Sequence, residues 1–91
     1  MFLLNVETAS NKEIADLLNV DEELVTKIKL EGSYMTSGVA SVLIGVVPES
    51  LRNWHHRGIL VPDRVLSSGH RRYSLQQVVD YVEKERGISE E

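Results

Sequence analysis

Apolar side chains recur at helical spacing in five stretches of the chain, and each stretch is bounded by residues suited to a helix terminus. Ile14, Leu17 and Leu18 form the first stripe, and Ser10 followed three positions later by Glu13 is the capping-box pattern that opens a helix. A helix over 11–19 follows. Asp21 stands ready to cap a second, Glu22 and Glu23 lie where the positive end of the helix dipole favours acids, and Gly32 stops it after Leu24, Val25 and Ile28 have turned inward. The first 33 residues therefore read as a short helix pair.

The same order returns 26 residues later: Ile14, Leu17, Leu18, Val20, Val25, Ile28 and Gly32 are matched by Ala40, Leu43, Ile44, Val46, Leu51, Trp54 and Gly58. Either an internal duplication or the apolar grammar shared by any two helix-turn-helix units accounts for the match. In this second unit Thr36 or Ser37 caps a helix running to Ile44. Gly45 permits the sharp turn, and Pro48 fits only the first turn of the next helix, which Gly58 ends.

Beyond the linker Ile59-Leu60-Val61-Pro62, the pattern shortens. Arg64-Val65-Leu66 and His70-Arg71-Arg72-Tyr73 flank Ser67-Ser68-Gly69, which reads as two strands about a flexible turn. Ser74 then caps a last helix with Leu75, Val78, Val79 and Val82 at core spacing, ending near Gly87 and leaving 88–91 as a tail.

Charge changes this picture more than composition does. The chain carries a net −4, yet residues 34–74 hold five arginines against Glu49 and Asp63, whereas the segments on either side are acidic. All three histidines, His55, His56 and His70, also lie in the basic segment. Local charge sets a phosphate-binding footprint, so the total does not exclude nucleic acid. The absence of cysteine excludes disulfides and thiol redox chemistry, and no apolar run is long enough to span a bilayer. The expectation is a cytoplasmic protein with no membrane partner.

Met35 to Val46, Pro48-Glu49-Ser50-Leu51-Arg52-Asn53-Trp54, Gly58 to Pro62 and Ser68 to Ser74 together resemble, in collinear order, the DNA-binding domain of the MerR family and its excisionase-like relatives. The resemblance implies a winged helix-turn-helix whose second helix reads DNA and whose wing lies beside it. It departs at Ser41, where the family usually has alanine, and at Val39 and Val42, often charged in the family, so that face is a candidate contact surface. Typical effector-sensing members continue into a long dimerisation helix, and this sequence is more similar to the short, stand-alone members.

Candidate chemistry then follows residue by residue. A helix in the major groove needs donors near its start, and Ser50, Arg52, Asn53 and His56 supply them; Arg52 suits the O6 and N7 of guanine, Asn53 the equivalent edge of adenine. Arg57, Arg64, His70, Arg71 and Arg72 supply charge for phosphate, while Ser67, Ser68 and Gly69 let backbone approach it. Strand alternation sends Arg71 and Arg72 to opposite faces, one toward DNA and the other toward an acid such as Asp63 or Asp80. Trp54, on the stripe with Leu51, is expected to be a core anchor between helix and wing, and Tyr73 to pack beneath the wing.

Adjacent His55 and His56 diverge on a helix and do not make a metal site, and no constellation of side chains supports catalysis. Neither cofactor nor metal is expected. The acids at 21–23 would repel phosphate, so the first unit is read either as a packing extension or as a protein-contact or self-association face, a role the apolar helix starting near Ser37 can share.

The fold expected is thus mostly α: a winged helix-turn-helix over 34–87 with a two-stranded wing, preceded by an acidic helix pair over 1–33. The function expected is binding to duplex DNA, as a transcription regulator or an architectural recombination or partition factor. The alternatives are a protein-interaction adaptor on the same fold, or the DNA-targeting module of a recombinase or terminase complex.

Overall fold

A computed structural model of the protein describes residues 4–86. Its elements follow in the order α1 (Asn11–Leu18), α2 (Glu22–Leu30), β1 (Tyr34–Thr36), α3 (Ser37–Ile44), α4 (Pro48–His56), β2 (Arg64–Val65), β3 (Arg71–Ser74) and α5 (Leu75–Arg86). The expected helix end near Gly87 and the tail 88–91 lie outside the described residues.

Local chemistry explains most termini. Ser10 Oγ accepts from the Glu13 amide at 3.1 Å and Glu13 Oε1 accepts from the Ser10 amide at 2.9 Å, which satisfies two orphan donors of α1 reciprocally. Asn19, left-handed at φ 61°, ends that helix one residue earlier than its apolar spacing suggests. Thr36, not Ser37, caps α3, and Gly45 ends it at φ 92°, a conformation that disfavours a side chain. Asp21 occupies the cap position of α2 but its carboxylate makes no capping bond. At α5, Ser74 Oγ accepts from the Gln77 amide at 3.1 Å and Gln77 Oε1 accepts from the Ser74 amide at 3.0 Å, a second reciprocal cap.

The 26-residue periodicity extends to the backbone. Shifting α1 and α2 by that interval lays them on α3 and α4 residue for residue. The turn bond from the Val20 amide to the Ala15 carbonyl, 3.0 Å, recurs from Val46 to Ser41 at 2.9 Å. That from Ser33 to Ile28, 2.9 Å, recurs from Ile59 to Trp54 at 2.9 Å. Asn19 and Gly45 share the left-handed conformation, as do Gly32 and Gly58. Two helix-turn-helix units of one geometry therefore stand in tandem, and both pack against α5 through their first helices.

The sheet corrects one expectation. The expected two-stranded hairpin of β2 and β3 is present, but a third antiparallel strand extends it, giving the order β1-β3-β2. β1 pairs Tyr34 with Ser74, Met35 with Tyr73 and Thr36 with Arg72, while β2 pairs Arg64 with Arg72 and Val65 with Arg71. The central strand β3 is thus held from both sides, and the wing is joined to the strand between the two helical units.

One apolar cluster draws on both halves: Val6, Ile14, Leu18, Val25 and Ile28 from the first, and Met35, Leu43, Leu51, Tyr73 and the α5 residues Leu75, Val78, Val79 and Val82 from the rest. Tyr73 is fully buried beneath the wing, as expected, and its hydroxyl has no hydrogen-bond partner among the described residues. The segment before α1 is strapped to α5: the Leu4 amide donates to Glu83 Oε1 at 2.8 Å, the Val6 amide to Gln76 Oε1 at 2.9 Å, and Gln76 Nε2 returns a bond to the Leu4 carbonyl at 2.7 Å. Among the described residues no helix is long and apolar enough to cross a membrane.

Candidate nucleic-acid interface

Helix α4 divides its residues sharply. Leu51 is fully buried, whereas Arg52, Asn53 and His56 are exposed, with Arg57 exposed just past the helix end; none of these four side chains hydrogen-bonds to a described residue. Ser50 is half-buried in the first turn. Arg52 and Asn53 therefore present donors to solvent from the first half of the helix, where a groove-inserted helix meets base edges.

Trp54 lies on the inner side but is not enclosed. Its ring is half-buried and packs at 5.4 Å, tilted by 40°, on the ring of Tyr81 in α5. The expected anchor between helix and wing is instead a ring contact between α4 and α5. The wing is tied to α4 by another residue: Arg71 Nε donates to His55 Nδ1 at 2.8 Å. His55 stands four positions after Leu51, which places it on the inward stripe, and that spacing is the sequence signal for a contact the charge pattern missed. Burial first, then the Arg71 guanidinium, then His56, hold the His55 imidazole below the ordinary histidine value, which favours the neutral form that accepts this bond.

The wing presents its charges on two faces, as alternation requires. Arg71 shares the inner face with Tyr73; Arg72 shares the outer face with its cross-strand partner Arg64. Neither Arg71 nor Arg72 pairs with an acid among the described residues, contrary to expectation: Arg72 Nη1 donates to the Arg71 carbonyl at 3.1 Å. The two acids are engaged elsewhere. Asp63 accepts from the Tyr34 hydroxyl at 2.7 Å, and Asp80 from Gln76 at 2.8 Å. Arg64 lies 4.8 Å above the Tyr34 ring, a cation–π contact that directs an exposed guanidinium along the sheet. Like charges placed directly across a ladder are unfavourable by themselves, so the Arg64–Arg72 pair is better suited to a polyanion than to a bare surface.

The tip is a tight turn. The Gly69 amide donates to the Leu66 carbonyl at 2.8 Å, Gly69 itself takes φ 92°, and Ser68 Oγ meets His70 Nδ1 at 2.8 Å. Ser67, Ser68, Gly69 and His70 are all exposed. Behind the wing, Gln77 of α5 fixes its approach: Oε1 accepts from the Asp63 amide at 2.9 Å and Nε2 donates to the Val61 carbonyl at 2.8 Å. Sequence reading passed over Gln77 because a polar residue beside a core stripe reads as solvated surface.

His55 and His56 stack with ring centroids 5.6 Å apart. Among the described residues no group of three or more His, Asp or Glu side chains converges to hold a metal ion. The arrangement offers a row of donors on a protruding helix, a second row of cations on an adjacent ribbon, and a hydrogen bond fixing one against the other.

A family model described as MerR HTH family regulatory protein matches residues 35–80, from β1 into α5. Comparison with curated proteins and with solved structures gives no match.

Proposed function

The chain belongs to the MerR family of helix-turn-helix regulatory proteins, a DNA-binding family that regulates transcription, and we propose that this protein is a sequence-specific member that reads duplex DNA with α4 in the major groove. Arg52 and Asn53 contact base edges; Ser50 and His56 flank them. The wing, through Arg64, Arg72 and the turn Ser67-Ser68-Gly69-His70, follows the phosphate backbone, with Arg57 and Arg71 between helix and wing. The protein acts in this reading as a binder and not as an enzyme, and without a cofactor.

The observation that carries the reading is the Arg71–His55 bond, which sets the cationic ribbon at a fixed distance from the donor face of α4. Two separately weak surfaces become one rigid footprint. Phosphate neutralisation releases counterions, so affinity for a mixed-sequence duplex should fall steeply as salt rises from 50 to 200 mM, by about tenfold or more for even a few phosphate contacts. Fluorescence anisotropy across that range tests it, and a flat affinity refutes it. An architectural recombination or partition factor would use the same surface; a promoter–reporter assay set beside a DNA-bending assay separates the two roles.

A further inference from the structure

The tandem repeat provides an internal control for the exposed side chains, because two units of one backbone geometry differ wherever their surfaces serve different ends. The residue that enters the second helix is Asp21 in the first unit and Val47 in the second. Val47 is 61 % exposed and makes no capping bond, while its neighbour Val46 takes the inward position against the core. A β-branched apolar residue is among the poorest helix caps, and although valine suits the extended backbone (φ −83°, ψ 153°) that Pro48 imposes, that backbone does not call for an apolar side chain left exposed. The same exchange occurs one step earlier: Asp16, exposed and paired with Lys12 at 3.4 Å, is replaced by Val42, 70 % exposed.

At two matching positions the first unit thus has acids and the unit whose second helix carries Arg52 and Asn53 has valines. Removing a carboxylate from the tip of a groove-inserted helix removes repulsion by phosphate, but a serine would do that and cap the helix too. Valine adds an apolar surface. In the major groove the one apolar feature of a base pair is the C5-methyl of thymine. We propose that Val47 is a specificity-determining residue that packs against a thymine methyl next to the bases read by Arg52 and Asn53. The proposal rests on α4 being the reading helix, and Val47 continues that surface at its leading end.

The test uses the full chain and a site selected from a random duplex pool, with each thymine replaced in turn by deoxyuridine, which lacks only the methyl. At one position adjoining the Arg52-dependent base pair, the parent should lose about fourfold in affinity, the effect of exposing one buried methyl-sized group. Val47→Ser should bind the thymine and deoxyuridine duplexes equally while melting no lower than the parent, since serine caps the helix. A selected site without thymine at that end overturns the proposal, as do deoxyuridine substitutions without effect or a Val47→Ser variant that keeps the parent's discrimination. Failure to select any duplex overturns the DNA reading itself, a distinct result.

Discussion

Arg71 of the central wing strand donates to His55 of α4 across 2.8 Å, and this bond exists only while His55 is neutral. Protonation would place a proton on Nδ1 facing the guanidinium and add a like charge beside Arg71 and His56. Burial and those two neighbours lower the folded value, so the stabilisation is complete above the unfolded value of about 6.5 and is lost as pH falls through the window beneath it. The melting temperature of the parent should therefore drop more between pH 7 and pH 5 than that of His55→Gln, whose amide oxygen accepts without titrating. Equal slopes for the two proteins would show that the bond does not form in solution.

Arg52 and Trp54 stand two positions apart and face opposite ways. Arg52→Ala, at an exposed site without partners, should change stability by no more than about 0.5 kcal/mol yet lose about 1–3 kcal/mol of discrimination at one base pair. Trp54→Ala removes the half-buried ring against Tyr81 and should cost about 3 kcal/mol, the low end for a large aromatic, before any DNA is added. Thermal unfolding and binding to a selected site, measured in one buffer, check both. A Trp54→Ala protein that melts like the parent but loses the site would transfer the reading role to the opposite face of α4.

The Tyr73 hydroxyl is buried without a partner among the described residues, and a desolvated donor with no bond is a cost borne by the native state. Tyr73→Phe keeps the ring in the core and deletes that cost, so the urea midpoint should rise, by up to about 1 kcal/mol in stability, with an unchanged slope. A loss of stability would mean that a buried water satisfies the hydroxyl.

Removal of residues 1–33 should unfold the remainder. Val6, Ile14, Ala15, Leu18, Val25 and Ile28 belong to the same buried cluster as α5, and α1 packs on that helix. Circular dichroism of the truncated chain checks this. A folded truncation that binds DNA as tightly as the parent would instead mark the first unit as a separable contact module.

The helices were legible in the sequence because their apolar spacing, caps and left-handed stops are local. The capping residues Ser10, Thr36 and Ser74 act within three positions of themselves, and the 26-residue echo could be seen before any fold was known. β1 was not legible. Tyr34-Met35-Thr36 is too short to show alternation, and its partner Arg72-Tyr73-Ser74 lies far along the chain. The donors on α4 could be named from exposure expected of polar residues, but the partner of Arg71 could not, since charge alone points to an acid and only the tertiary fold brings the His55 imidazole there. Gln76 and Gln77 escaped for the same reason: their partners Leu4, Val6, Val61 and Asp63 are brought to α5 by tertiary structure.

The strand order β1-β3-β2 also sets a timetable. During synthesis β1 emerges well before β3, and at roughly 5–20 residues per second it waits for several seconds before its partner exists. The first helix-turn-helix unit is already made when β1 emerges and the second is made in that interval, so both precede the terminal helix against which their first helices pack. Helix α4 therefore leaves the ribosome before Arg71, to which it is tied through His55, and a chain interrupted before Arg71 has the donor face of α4 but no wing fixed beside it.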